Sequence, residues 1–249
     1  MDDEIILILL FVIIIVAYII ASIRTSRYFR KWPLTRILFW VLGVSCIAAT
    51  VIGPLANQAH TDFVVHMIIH LLLGMLAPLF LVLAAPITLI FRTLNVNAAR
   101  RLSSLLKSRL VSTFSNPVVA SLLNIGGLWI LYTTDLYLAM QHNHLIHILV
   151  HIHVFLAGYL FTASLIYIDP TPHHFSFRYR TIVFIFALAG HGILSKYIYA
   201  YPPSGVLRAE AELGGMLMYY GGDIIDAGII VILFYQWYKV SRPKKVLLL

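Results

Sequence analysis

Apolar positions run along this chain in long unbroken blocks, not in the alternation of strands or the one-sided stripes of surface helices. Seven blocks are long enough to cross a hydrocarbon core of about 30 Å at about 1.5 Å per residue. They cover roughly 5–23, 36–54, 62–90, 117–138, 144–168, 181–200 and 211–238. The pattern predicts an all-α membrane protein, a seven-transmembrane-helix bundle forming a single polytopic domain over 1–249. No internal repeat and no linker marks a second domain. Pro54, Pro78 and Pro86 suggest kinks or helix ends, tolerable where neighbours satisfy the freed carbonyls. Gly214, Gly215, Gly221, Gly222 and Gly228 punctuate the last block. Their seven-residue spacing lines up two stripes of small residues, which let neighbouring backbones approach closely.

Between the third and fourth blocks, RTLNVNAARRLSSLLKSRLVSTF carries Leu102, Leu105, Leu106 and Leu110 at helical spacing, with Arg101, Lys107 and Arg109 on other faces. It reads as a short amphipathic helix on the membrane surface, with Asn97 as a candidate cap, or as a basic loop that sets topology.

Composition supports the membrane assignment. Of 249 residues, 61% are hydrophobic and 11% charged, against roughly 25% charged in soluble domains; the mean hydropathy is +0.90. The net charge of +8 does not point to nucleic acid, because the cations sit in loops between apolar runs. Arg24, Arg27, Arg30, Lys31 and Arg36 fill the first loop, and Arg92, Arg100, Arg101, Lys107 and Arg109 the third. Arg178, Arg180, Lys239, Arg242, Lys244 and Lys245 complete the set, leaving only Lys196 and Arg208 elsewhere. The positive-inside rule then places the N-terminus outside and the C-terminus in the cytoplasm. Residues 1–4 lack the basic start of a signal peptide and the first block is too long for one, so it reads as an anchor. HExxH, Walker A, GxSxG and GxGxxG motifs are absent from the sequence, which removes the soluble enzyme classes they mark.

Eleven histidines are many for so apolar a chain. His66 and His70, four residues apart, share one face of the third span. His144, His147 and His151 share a face of the fifth, with His153 pointing nearly the opposite way. His191 lies in the sixth between Gly190 and Gly192, with Lys196 further out. Asp223 and Asp226 share a face of the seventh, below Met216 and Met218. At about 1.5 Å per residue, His70, His151, Cys46, His191 and Asp223 fall at similar depths, roughly 12–17 Å below the outer surface. His66, His147 and Met216 lie about one turn above. His60, His142, His173 and His174 fall in or beside loops.

An ionisable group at such depth is a functional-site candidate, although one intramembrane histidine alone is ordinarily a helix–helix hydrogen bond. Two independent i, i+4 pairs at one depth point to a metal site. Its candidate ligands are His66, His70, His147, His151, His191 and Asp223, with Cys46, His144, Met216, Asp226 and Lys196 as accessory residues. Imidazole, thiolate and thioether together suit copper, particularly Cu(I); imidazole with carboxylate suits zinc, Cu(II) or iron. Histidines of facing helices also suit haem iron. The aspartates require partners. They fit as groups that fix histidine tautomers or as part of an ion path, with Lys196 as one possible partner.

Three stretches carry a resemblance: HMIIHLLLGMLAPLFLVLAAP at 66–86, HILVHIHVFLAGYLF at 147–161 and AELGGMLMYYGGDIIDAGI at 211–229, with the outer loop YIYAYPPSG at 197–205. Together they resemble the bacterial CtaG family of cytochrome c oxidase assembly factors over about residues 35–238. The resemblance implies a multi-pass plasma-membrane protein that acts with cytochrome c oxidase subunits, delivering or inserting copper during maturation of a caa3-type oxidase. Carried over by position, His66, His70, His147 and His151 are the leading functional candidates. Two other classes stand beside this non-enzymatic reading. One is an intramembrane zinc hydrolase using His147, His151, His191 and Asp223 to activate water. The other is a metal or proton transporter, for which no inverted repeat is visible.

Overall fold

The computed structural model describes residues 2–59 and 61–242; His60, Lys244 and Lys245 lie outside them. The described residues form helices and connecting turns with no strand. The long elements are α1 (Glu4–Thr25), α2 (Leu34–Val51), α3 (Phe63–Thr93), α4 (Pro117–Thr133), α5 (Leu136–His142), α6 (His144–Leu165), α7 (Phe177–Ala200) and α8 (Arg208–Ser241). Six of the described helices are long and apolar enough to cross a membrane. A seventh crossing follows if α4 and α5 count as one broken span, bent by 77°.

That break is the main departure from the predicted 117–138 span. Thr133 and Thr134 donate their hydroxyls back to the carbonyls of Trp129 and Ile130, each at 2.6 Å. Thr134 is then extended at φ −120°. Side-chain back-bonding of this kind satisfies the terminal carbonyls and competes with helix continuation. Helix α5 turns across the end of the bundle and drives Tyr137 and Met140 into the core.

Helix α3 is the central element, and its interior is largely buried. Asp62 caps it, accepting from the N–H groups of Val64 at 2.8 Å and Val65 at 3.1 Å, a contribution of about 1 kcal/mol. Helix α8 packs on the histidine-bearing half of α3, α6 crosses α3 over Leu72–Ala84, and α2 packs on its far half. Pro78 does not end it. A π-helical segment, Leu72–Leu76, precedes the proline and the chain runs on to Ala84. Pro86 does mark a break, at Ala85, which has a left-handed backbone with φ 54°. The following turn is capped by Asp169, which accepts from the N–H groups of Ile87 and Thr88 and from the Thr88 hydroxyl.

A second π segment, Leu122–Gly126, interrupts α4. His153 reaches it from α6, its Nε2 lying 3.1 Å from the Leu123 carbonyl. A carbonyl only accepts, so this histidine is a structural tether, as its orientation away from the other histidines predicts. The basic segment after α3 is helical over Val96–Leu106, capped by Asn95 rather than Asn97.

The glycine stripes of α8 do different work on two sides. A methyl group on Gly214 or Gly221 would strike Phe63 or Leu71 of α3, at 2.7 and 2.6 Å. One on Gly215 or Gly222 would strike the Ser195 carbonyl or the His191 ring of α7, at 2.8 and 2.5 Å. The seven-residue period thus seats α8 against both helices at once.

Candidate functional site

The histidines converge because α3, α6 and α7 bring their polar faces to one end of the bundle. The His66 ring lies 6.1 Å from that of His151 and 5.0 Å from Tyr137. Its Nε2 is 3.0 Å from the Tyr132 hydroxyl. One turn deeper, His70 faces His191 across the α3–α7 interface, ring centres 6.1 Å apart. Toward the end of the bundle, His147 stacks on His151 at 4.2 Å.

Two small cavities join these groups. One is lined by His66, His70, Tyr132 and His151 among apolar residues. The other is lined by His70, His191, Asn124 and Asp226, again among apolar residues. Each has a volume of about 10 Å³, roughly the space for one water or one small ion. His70 borders both. The arrangement is a file of polar groups, His147–His151–His66–Tyr132–His70–His191–Asp226, threading an apolar interior.

His70 is 4% exposed, and neither of its ring nitrogens has a hydrogen-bond partner. His191, equally buried, has no partner for Nε2. Each buried polar atom left without a partner costs about 1–3 kcal/mol, so a fold that places three of them together has a use for them. His151 is prepared differently. Its Nδ1 lies 2.9 Å from the His147 carbonyl, so Nδ1 carries the proton and the lone pair is on Nε2. Donation of one ring N–H to a backbone carbonyl is how ligating histidines are commonly oriented.

The donors fit a small ion bound by few ligands. Two imidazoles on opposite sides of one ion have ring centres about 6 Å apart, from two bonds of about 2.0 Å and two ring radii of about 1.1 Å. The His70–His191 spacing agrees. No group of three or more His, Cys, Asp or Glu among the described residues is arranged to hold a metal. His147, His151, His191 and Asp223 are not gathered into one such group.

The accessory residues scatter. Asp226 is buried and lines the inner cavity, while Asp223 is exposed on the bundle surface, within electrostatic reach of His191 and Asp226. Met216 and His144 are exposed, and Lys196 sits over the Tyr219 ring on the bundle exterior. Cys46 is a half-buried free thiol of α2 that lines neither histidine cavity.

The sequence reading did not single out Asn124, Tyr132 and Tyr137. Asn124 carried a signal, an amide inside an apolar span, where polar side chains bridge helices. The tyrosines carried none, because aromatic residues near span ends are ordinary.

A multi-pass helical bundle with a buried file of histidines is the class these features define. The chain belongs to the cytochrome c oxidase caa3 assembly factor family (Caa3_CtaG), whose sequence profile matches residues 16–240. It is a multi-pass plasma-membrane protein. Among curated relatives, Uncharacterized protein ML1998 of Mycobacterium leprae (strain TN) is 28% identical over 244 residues, covering 89% of this chain and 37% of that protein. Uncharacterized protein Mb0105 of Mycobacterium bovis (strain ATCC BAA-935 / AF2122/97) is 29% identical over 253 residues, covering 93% and 38%. The chain thus spans less than two fifths of the length of these relatives. No solved structure matches it.

Proposed function

We propose that this chain assists assembly of a caa3-type cytochrome c oxidase by carrying copper, as Cu(I), along its buried histidines to an oxidase subunit. The observation that carries the reading is the His70–His191 pair, buried, facing across one small cavity, with both ring nitrogens of His70 and Nε2 of His191 meeting no protein partner. Two-donor sites suit Cu(I), whose low coordination number permits ligand exchange, and imidazole is a suitable donor for copper.

In this account the N-terminus and the histidine end face outward, as the basic loops at the opposite end favour. Copper meets the stacked His147 and His151 first. It passes to the level of His66, whose Nε2 is held by Tyr132, and then to His70 and His191. Asp226 supplies a carboxylate beside the last pair, offsetting the charge of a bound cation, and Asn124 presents an amide to the same cavity. The protein contributes binding and exchange and no covalent chemistry.

The test is made in a strain lacking this chain. The oxidase purified from it is expected to be short of copper, restored by the wild-type chain and not by His70→Ala. Full copper occupancy with His70→Ala would remove the role.

A further inference from the structure

Away from the histidine file, the exterior seam of α7 and α8 holds a second pocket of about 260 Å³. It is lined by Ser195, Lys196, Tyr199, Gly215, Met216, Tyr219 and Tyr220. Its floor exists because α8 carries glycine at 215, where a methyl group would meet the Ser195 carbonyl at 2.8 Å. Lys196 lies on its rim, with Nζ 5.0 Å from the centre of the Tyr219 ring. It stands four residues before the end of α7, about 6 Å along the axis, which is headgroup level.

Lys196 is out of place by the topology rule. Among the described residues, fourteen of the sixteen basic side chains belong to segments at the other end of the bundle. The remaining one at this end, Arg208, is already neutralised by Glu212 at 3.0 Å. Lys196 has no carboxylate within salt-bridge distance among the described residues. The pocket therefore offers an unneutralised ammonium at the height of lipid phosphates, among tyrosine side chains. One turn deeper on each helix, Ile193 and Ile224 are 58% and 75% exposed, and they continue the same faces toward the hydrocarbon.

We propose that this pocket binds the phosphate headgroup of an anionic phospholipid, with Lys196 as the charge partner and an acyl chain lying over Ile193 and Ile224. Tyrosine and lysine suit this level, where an apolar stem and a polar tip are both satisfied. The site does not depend on the copper reading, nor on which face of the membrane carries the histidines.

The test uses the full chain in phosphatidylcholine nanodiscs containing a minority of phosphatidylglycerol, with retained lipid counted by native mass spectrometry. The wild type is expected to hold phosphatidylglycerol in preference to phosphatidylcholine. Lys196→Ala is expected to lower that retention about fivefold, the scale of one basic side chain at an anionic headgroup. Lys196→Arg should preserve it, and so should Arg208→Ala, which removes the same charge outside the pocket. Thermal unfolding in pure phosphatidylcholine discs verifies that each variant is folded. Equal retention by wild type and Lys196→Ala, or an equal loss in Arg208→Ala, would overturn the proposal. Displacement of phosphatidylglycerol by millimolar inorganic phosphate would overturn it in favour of a free anion. Copper loading reads the histidine file separately and is expected to be unchanged in Lys196→Ala.

Discussion

Gly158→Ala is expected to destabilise the bundle by more than about 3 kcal/mol, the upper range for overpacking, and Gly158→Val to leave little folded protein. At this point α6 crosses the Leu72–Leu76 segment of α3. Pro78 has no N–H to offer the carbonyl four residues back, that of Gly74. The π segment and the close passage of α6 accommodate this irregular backbone. A Cβ built on Gly158 falls well inside the envelope of the Gly74 carbonyl oxygen and is also 3.3 Å from the Pro78 ring. The obstacle is backbone held in a helix, not the end of a flexible side chain, so no local rotation relieves it. The helices must separate, and that carries His151 away from His66. The thermal midpoint of the detergent-purified variant checks this. An unchanged midpoint for Gly158→Ala would show that the α3–α6 contact is looser than described.

Gly222→Ala is expected to do the reverse, sparing the fold and damaging the site. Here the added methyl meets a side chain, the His191 ring, with Cε1 at 2.5 Å. Because a side chain can give way, the bundle remains folded. The imidazole is pushed from its place opposite His70, and Cu(I) affinity is expected to fall about 10–100-fold, as when the support of a ligand is removed. Competition with a chromophoric Cu(I) chelator measures it, beside the thermal midpoint. Wild-type affinity in Gly222→Ala would show that His191 is not held by this contact.

These two glycines separate what the sequence carried from what it did not. The stripe on α8 was legible as spacing, because small residues at a seven-residue period have few uses in a membrane helix besides close packing. The histidine levels were legible in part: one rise per residue converts position to depth, and His70 and His191, read at one level, do meet in space, whereas His151, read at that same level, meets His66 from the turn above. The π segments were not legible, since an i→i+5 turn reflects what neighbouring helices demand and no local residue preference encodes it. The break after Thr133 was hidden by the apolar run Leu136–Met140, which continues the hydropathy block while the threonine hydroxyls end the helix. Which aspartate faces inward was also beyond the pattern. Positions three apart share a broad face, and only the seating of Gly222 against α7 turns Asp226 to the cavity and leaves Asp223 outside.

The central claim is that His70 and His191 form one binding site between α3 and α7. The most direct measurement is copper content of the detergent-purified chain after Cu(I) loading and desalting, for wild type, His70→Ala, His191→Ala and His153→Ala. The account predicts copper retained in the wild type and in His153→Ala, whose histidine only tethers α6 to α4. It predicts the same loss in His70→Ala and in His191→Ala, because either change leaves a single imidazole. Copper retained at the wild-type level in either His70→Ala or His191→Ala would contradict it.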